Sequence, residues 1–319
     1  MVQTGESTGI VLRIKGADYY VGSGEIEVRC SLRGRFRLDD SPGDVLPVVG
    51  DRVEFRMEEK RDSRGRTGLI TRIKPRISHF ARSQSFGKRR YRLLGANLER
   101  VFLVFAVKNP ALNRRLLDRM LVAAECGDME PVICVNKMDL ADDPERVRAG
   151  LADYRNLGYL VLHSSAVTGH GLDALREALE GRNSILAGPS GGGKTSLIKA
   201  LQPGLELRIG HVSARTGKGR HTTTHFELHP LDFGGYLGDS PGVREFGIWG
   251  VSKVTLADYF RGFEPYRGRC RFAGCTHSHE PDCAVKEAVA MGDISKLRHE
   301  SYLRIMETLP DTLDKEEGG

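Results

Sequence analysis

The sequence lacks any apolar run long enough to cross a membrane. Its longest one, VFLVFAV at 101–107, falls far short of the roughly 20 residues that a spanning helix needs. The first ten residues, MVQTGESTGI, also lack the apolar core of a signal peptide. We therefore expect a cytoplasmic protein without a membrane partner.

Cysteine is scarce, with six in 319 residues. Cys30, Cys126 and Cys134 are scattered through apolar or strand-like segments and are expected to be small buried side chains. The other three fall between 270 and 283. In a chain without an export signal, that clustering favours a metal site over disulfides.

Acidic residues are almost missing from 60–92, where Asp62 stands against twelve Lys and Arg. Such a stretch could attract a phosphate backbone. A solvated loop with surplus charge explains the composition equally well. Charge alone therefore leaves a nucleic-acid partner open.

The composition, 39% hydrophobic and 28% charged, is typical of soluble multidomain proteins. Short β-like runs between residues 8 and 75 predict a small barrel over 1–80, and an oligonucleotide-binding (OB) barrel would suit the basic linker expected at 81–96. Over 97–248, buried strands alternate with amphipathic helices, which predicts a doubly wound α/β domain. A mainly helical domain is expected at 249–310, and a disordered tail at 311–319.

A phosphate loop is predicted at GPSGGGKTS, between the strand NSILAG and the helix KTSLIKALQ. Its glycines allow backbone N–H groups to wrap phosphates, Lys194 is expected to neutralise β- and γ-phosphate oxygens, and the Thr195 hydroxyl to ligate Mg²⁺. The expected phosphate-site residues are Gly188, Pro189, Ser190, Gly191, Gly192, Gly193, Lys194, Thr195 and Ser196.

The base is predicted by NKMD at 136–139, which follows an apolar strand. Asp139 can accept both N1–H and N2–H of guanine, Asn136 can bond the Hoogsteen edge and tie the loops together, and the Lys137 stem can cover the ring. Adenine lacks that donor pair, so ATP is disfavoured. Met138 completes the motif, and SSAVTGHG one unit later contributes Ser165 and the Ala166 N–H, which is expected to reach guanine O6.

DSPG at 239–242 is predicted to sense the γ-phosphate, through Asp239 holding Mg²⁺ by way of water and through the Gly242 N–H. A plain turn is the rival interpretation. The non-periodic segment 211–225 is expected to be a mobile loop, in which Thr222, Thr223 or Thr224 reaches Mg²⁺.

The order of these motifs is unusual, because the base-reading pair precedes the phosphate-reading set. Cutting such a sheet between its halves and rejoining the old ends keeps every strand contact. The order therefore predicts a circularly permuted GTPase.

Near the C-terminus, C-x4-C-x-H-x5-C supplies Cys270, Cys275, His277 and Cys283, a set suited to one structural zinc ion. His279 lies two residues away, so spacing alone leaves the histidine open.

The chain resembles the RsgA (YjeQ/YloQ) family through RGRF, VVGDRV, NKMDL, GPSGGGKTSL, GRHTTT, DSPGVREFG and CRFAGCTHSHEPDCAVKEAV. The resemblance implies an OB barrel, a permuted GTPase domain and a C-terminal zinc domain. It also implies GTP hydrolysis to GDP on the small ribosomal subunit and its rRNA during late maturation, and His277 as the zinc ligand. We expect a monomer.

Many GTPases have a glutamine directly after D-x-x-G that orients the attacking water. In this sequence Val243 occupies that position. The intrinsic rate should be low. His221 is the nearest candidate to position water, and the resemblance also proposes it, with Thr223 as the switch threonine; packing in a loop is the alternative for His221. Two other functions stay open: a GTP-sensing, zinc-stabilised RNA-binding module with little turnover, and a GTPase acting on another target.

Overall fold

The computed structural model describes residues 6–32, 46–62, 65–83, 91–205, 226–239 and 247–313. Within these ranges, no helix has the length and apolar character required to span a membrane. Three bodies follow one another along the chain: a barrel, an open sheet flanked by helices, and a C-terminal helical part.

Five strands close the N-terminal barrel in the order β1-β2-β3-β5-β4, with β4 returning to β1. Strands β3 and β5 are parallel and the other neighbours antiparallel, which is the arrangement of an OB-type barrel. The strands are β1 Ser7–Lys15, β2 Asp18–Ser23, β3 Ile26–Leu32, β4 Arg52–Asp62 and β5 Gly65–Ile73. Alternate apolar side chains, including Val11, Val21 and Phe55, fill its interior.

A hairpin follows the barrel, formed by β6 His79–Ser83 and β7 Tyr91–Ala96. The sequence predicts only a basic linker over most of this stretch, because surplus charge obscures the strand signal. Asp51 fixes the junction: its buried carboxylate accepts two hydrogen bonds from Arg76, at 2.8 and 2.7 Å. The barrel and the hairpin are thereby held together.

The central sheet has the order β10-β9-β8-β11-β13-β12, and only β12 is antiparallel to its neighbour. Its strands are β8 Arg100–Ala106, β9 Glu130–Asn136, β10 Leu160–His163, β11 Asn183–Ala187, β12 Leu228–Pro230 and β13 Tyr236–Asp239. The base-reading strands β9 and β10 precede the phosphate-loop strand β11 in sequence, as in a circularly permuted GTPase domain.

Both faces of this sheet are covered, which explains its near-continuous apolar strands. Along β8, Val101, Leu103 and Phe105 share a core with helix α1 (Arg114–Cys126). Phe102 and Val104 point to the opposite face and pack with α4 (Leu172–Leu179) and α5 (Lys194–Leu201). The barrel joins the first face, where Leu12 shares a core with Phe226 and Leu228.

The amphipathic pattern of PERVRAGLADYRNLG predicts one helix between β9 and β10. The segment instead forms two short helices, α2 Pro144–Ala149 and α3 Ala152–Asn156. Gly150 separates them: glycine is a poor helix former, and its N–H makes the last hydrogen bond of α2, to the Arg146 carbonyl at 2.9 Å.

The C-terminal part contains α6 Ala284–Met291 and α7 Lys296–Met306, packed around a core with Phe260, Phe263 and Tyr302. It is joined to α1 by a buried ion pair, with Arg298 Nη1 2.7 Å from Asp118 Oδ1. Removing one partner of such a pair would leave an uncompensated buried charge, so we expect loss of either side chain to destabilise this interface.

Candidate nucleotide site and metal cluster

The nucleotide-site residues meet at the carboxyl edge of the parallel strands. NKMD begins at the end of β9, the Ser164–Ala166 segment follows β10, the phosphate loop follows β11, and Asp239 ends β13. Ligands of open α/β sheets bind in the crevice outside this edge. Chain order is therefore irrelevant to the site, because the strand ends converge whichever half comes first.

Two glycines of the phosphate loop occupy positions that no other residue fits. Gly188 has φ +147°, and a Cβ there would lie 2.2 Å from the Val104 carbonyl oxygen. Gly193 has φ +92°, and its Cβ would lie 2.2 Å from Asn136 Nδ2. The loop thus packs directly on the end of β8 and on the base-reading loop.

Lys194, the first residue of α5, is buried beneath the phosphate loop. Its ammonium donates to the carbonyl oxygens of Gly188 and Pro189, at 3.0 and 3.1 Å. Burial lowers the pKa of Lys194, and the nearby Asp239 carboxylate opposes that shift. A buried ammonium within a ring of backbone groups is well placed to meet an anion at the helix N-terminus.

Thr195 and Asp239, the predicted Mg²⁺ ligands, lie side by side. The Thr195 hydroxyl donates to Asp239 Oδ2 at 3.0 Å, and Asp239 Oδ1 is buried with no hydrogen-bond partner among the described residues. A buried carboxylate oxygen without a donor is costly unless a cation neutralises it. The pair therefore suits a hard divalent cation.

Asp239 gives a testable pH effect. Burial raises the pKa of its carboxyl, while Lys194 and the Thr195 hydroxyl oppose the shift. A raised folded-state pKa means that the protonated form stabilises the fold, an effect present below the unfolded pKa and lost as pH rises through the folded pKa.

We therefore expect Asp239→Asn to raise the melting temperature of protein freed of nucleotide and Mg²⁺, with the C-terminal cluster left loaded, by about 2–4 °C at neutral pH. The gain should shrink as the pH falls through the raised pKa of Asp239. The same variant should lose Mg²⁺-dependent nucleotide binding. Thermal scans across pH test this, and a variant equally destabilised at every pH would contradict it.

Asn136 joins three loops of the base-reading side. Its buried Nδ2 donates to the Gly192 carbonyl at 3.1 Å, and its Oδ1 accepts from the Ala166 N–H at 3.3 Å. The Ala166 N–H, expected to face guanine O6, thus contacts Asn136 in this structure. The predicted tie between the base loop and the phosphate loop is made by a single side chain.

Lys137 and Asp139 are oriented by the same loop. Lys137 adopts φ +62°, and its ammonium donates to the Asn109 carbonyl at 2.6 Å. The Ser165 hydroxyl donates to Asp139 Oδ1. Asp139 is exposed, so its carboxylate is accessible to a ligand. The hydrogen bond from Ser165 restricts the rotation of that carboxylate.

Sequence reasoning missed two contributors, Asn109 and Ser164. Asn109 acts through its backbone carbonyl, for which a side-chain pattern carries no signal. Ser164 is fully buried, and its hydroxyl donates to Asn136 Oδ1 at 3.5 Å. Ser164 is the first residue of the SSAVTGHG loop, and this position is the sequence feature that could have identified it.

Replacing Asp139 by asparagine should weaken GTP binding by about 10²-fold, because an amide donor would face the guanine N2–H. Asp142→Asn is the matched control, since that exposed carboxylate pairs with Lys108 outside the base site. Titration with a fluorescent guanine nucleotide measures both. Equal affinities for the two variants would remove Asp139 from base recognition.

Several predicted site residues lie outside the described residues. They are His221, Thr222, Thr223, Thr224, Gly242 and Val243. The described part of the site contains the phosphate loop, the base-reading loops and Asp239.

A second cluster lies in the C-terminal part, where one ligand atom each from Cys270, Cys275, His277 and Cys283 lies within 4.8 Å of the others. His277 Nδ1 is 3.5 Å from Cys270 Sγ and 3.4 Å from Cys283 Sγ, and the two sulfurs are 3.8 Å apart. These four residues could hold a metal ion. His279 is exposed and bonded to Ser278, which leaves His277 as the histidine of the cluster.

The cluster is supported by groups that hold its loop. Glu280 accepts hydrogen bonds from the Thr276 N–H, the Thr276 hydroxyl and the Ser278 N–H, at 2.8, 2.7 and 3.0 Å. Burial alone would raise the pKa of Glu280, but these hydrogen bonds lower it to about 2. The His277 carbonyl accepts from His299 of α7 at 3.0 Å. These hydrogen bonds hold the loop through groups other than its ligand atoms.

Two family models match the chain. One, described as RsgA GTPase, covers residues 73–249, and the other, described as RsgA N-terminal domain, covers residues 8–64. The gap between the two matches falls on β5, the last strand of the barrel. Together they cover the rest of the barrel, the hairpin and the central sheet.

Curated proteins named "Small ribosomal subunit biogenesis GTPase RsgA" are similar over nearly the whole chain. The protein of Gemmatimonas aurantiaca is 44% identical over 96% of this chain and 98% of its own length. That of Moorella thermoacetica is 43% identical, over 93% and 96%.

Two solved structures share the fold. YjeQ from Thermotoga maritima superimposes with a TM-score of 0.76 at 35% identity, covering 95% of this chain and 98% of that one. YloQ, described as a circularly permuted GTPase, has a TM-score of 0.71 at 28% identity, with 96% of each chain covered.

Proposed function

Because this chain belongs to the RsgA family of GTPases, we propose that it hydrolyses GTP to GDP and phosphate while bound to the small ribosomal subunit, during late maturation of that subunit. The observation that carries the proposal is the Asn136 bridge, which places a guanine-reading loop against a phosphate loop. Relatives named for small-subunit biogenesis supply the partner.

In this proposal the nucleotide is GTP with Mg²⁺. Lys194 and the backbone N–H groups of the phosphate loop hold the phosphates, and Asp139 reads the guanine edge. Thr195 and Asp239 hold Mg²⁺, which supplies charge neutralisation at the β- and γ-phosphates. The orphaned Asp239 oxygen and the Thr195 hydroxyl beside it support this assignment.

The metal of the Cys3His cluster is proposed to be one structural zinc ion. Zinc bonds sulfur at about 2.3 Å and nitrogen at about 2.0–2.1 Å, so neighbouring ligand atoms of a tetrahedral site lie about 3.5–3.8 Å apart. The three ligand distances that involve Cys270, His277 and Cys283 run from 3.4 to 3.8 Å. Four protein ligands leave no open position for a reacting water.

The barrel and the C-terminal part are proposed to contact rRNA, with the protein acting as a cytoplasmic monomer. OB-type barrels commonly bind oligonucleotides, and positive charge favours a phosphate backbone. The net charge of +6 agrees with such a partner. The protein is proposed to dock on the subunit in its GTP form and to leave after hydrolysis. The reason is that a γ-phosphate orders switch segments, which are released when it is hydrolysed.

His221 is proposed to position the attacking water, with Thr223 as the Mg²⁺-binding switch threonine. A neutral imidazole can orient water or accept its proton, and Val243 cannot. We expect His221→Ala to cut subunit-stimulated hydrolysis by about 10²-fold or more while leaving GTP affinity unchanged. His229→Ala, in β12, serves as control; stimulated turnover equal to wild type in His221→Ala would remove the role.

Docking is tested by co-sedimentation with purified small or large subunits, in GDP or in a non-hydrolysable GTP analogue. The proposal predicts co-sedimentation with small subunits that is strongest with the analogue. Equal binding to both subunits, or binding indifferent to the nucleotide, would contradict it. Analogue-dependent binding to small subunits without turnover would instead favour the GTP-sensing RNA-binding alternative.

A further inference from the structure

An aromatic ring faces solvent on the loop between two residues of the metal cluster. Phe272 lies between Cys270 and Cys275, and 44% of its surface is exposed. The other exposed large apolar residues in the described part of the chain are not aromatic. A partner that covers the ring would remove its apolar surface from water, which favours association.

The Phe272 backbone is held on both sides by the cluster. Its carbonyl accepts from the Cys275 N–H at 3.3 Å, and the preceding Arg271 N–H donates to the Asp282 carbonyl at 3.2 Å, next to Cys283. A metal ion bound to these cysteines would fix the loop further. The backbone that carries the ring is therefore already ordered before a partner binds, which lowers the entropy cost of binding.

A cationic side chain lies beside the ring. The Arg271 guanidinium lies 5.5 Å from the Phe272 ring centroid. Arg269, which precedes Cys270, is exposed, and its Nη1 donates to the Pro265 carbonyl at 3.2 Å. Arg271 pairs with Asp282 at 2.8 Å, but both side chains are more than half exposed. Exposed ion pairs are weak, so a phosphate can displace Asp282 from Arg271.

From this arrangement we infer that Phe272 is a base-stacking site, on which an unpaired nucleotide of rRNA lies while Arg269 and Arg271 contact the flanking phosphates. Proteins bind unpaired bases by stacking them on aromatic rings and guanidinium planes, with basic groups along the backbone. A purely apolar protein partner would make no use of the Arg271 guanidinium beside the ring. The inference rests on the proposed function, which supplies the rRNA.

The test compares wild type, Phe272→Ala and Phe272→Trp for binding to a fluorescent, unstructured RNA of about 12 nucleotides and to an abasic strand of equal length. Phe272→Ala should weaken binding to the RNA by about 5- to 100-fold, and Phe272→Trp should restore it. Neither variant should change affinity for the abasic strand, because phosphate contacts remain. Leu297→Ala, which trims another exposed apolar side chain of the same part, is the control.

Equal losses for the RNA and the abasic strand, or no loss for either, would overturn the inference. So would a Phe272→Ala defect seen with small subunits but absent with the RNA, which would point to a ribosomal protein. Metal content and GTP affinity of each variant establish that the fold is intact. Subunit-stimulated hydrolysis by wild type is measured separately, so a failure of the proposed function is distinguished from a failure of the stacking site.

Discussion

Replacing Lys194 by alanine is expected to lower kcat/KM for GTP hydrolysis by about 10²- to 10³-fold. The ammonium is buried under the phosphate loop and bonded to the Gly188 and Pro189 carbonyls. In the proposed function it neutralises the charge that develops on the β- and γ-phosphate oxygens in the transition state. Removing the side chain also removes the two hydrogen bonds that tie the phosphate loop to the start of α5.

The matched control is Lys199→Ala, which removes an exposed ammonium from the same helix. Steady-state hydrolysis and nucleotide titration should both separate the two variants, and the Lys199 variant should match wild type. If Lys194→Ala retained kcat/KM within about twofold, the assignment of 188–196 as the phosphate site would fail.

Loss of the proposed zinc ion is expected to unfold residues 249–310 as a unit. Structural zinc sites contribute about 10–16 kcal/mol of binding free energy at neutral pH, as much as the whole stability of a typical domain. His277→Ala removes a ligand that lies between two cysteine sulfurs. The variant should lose bound metal and the circular-dichroism signal of α6 and α7.

His279→Ala is the control for that experiment, because His279 is exposed and bonded to Ser278 outside the cluster. It should keep one equivalent of metal and a wild-type melting curve. Metal analysis and limited proteolysis distinguish the variants, with new cleavage expected after residue 248 in His277→Ala only. Metal retained by His277→Ala but lost from His279→Ala would reverse the ligand assignment.

The barrel and the central sheet follow closely from the sequence. Strands β1 to β5 correspond to the short alternating runs, and the strands of the sheet are apolar throughout because helices cover both faces. The circular permutation could be deduced from motif order alone, since the ligand-binding edge depends on strand direction rather than on chain order.

Contacts between distant residues could not be predicted. Arg298 and Asp118 are 180 positions apart, and neither belongs to a recognisable motif, yet their pair joins α7 to α1. The β6–β7 hairpin was missed because a charged stretch gives no alternation signal. Asn109 was missed because it contributes a backbone carbonyl.

The histidine of the metal cluster shows where spacing stops being informative. His277 and His279 fit the spacing alternatives equally, and only the turn at His277, with φ +58°, directs one imidazole inward. The exposure of Phe272 could not be predicted from the sequence either, because it depends on the conformation of the loop between Cys270 and Cys275.

The most direct test of the account is the GTP hydrolysis rate of the purified protein alone, with small ribosomal subunits and with large ones, using ATP as the nucleotide control. We predict slow turnover by the protein alone, strong stimulation by small subunits only, and no hydrolysis of ATP. Turnover that is unchanged by small subunits, or stimulated equally by large ones, would contradict it.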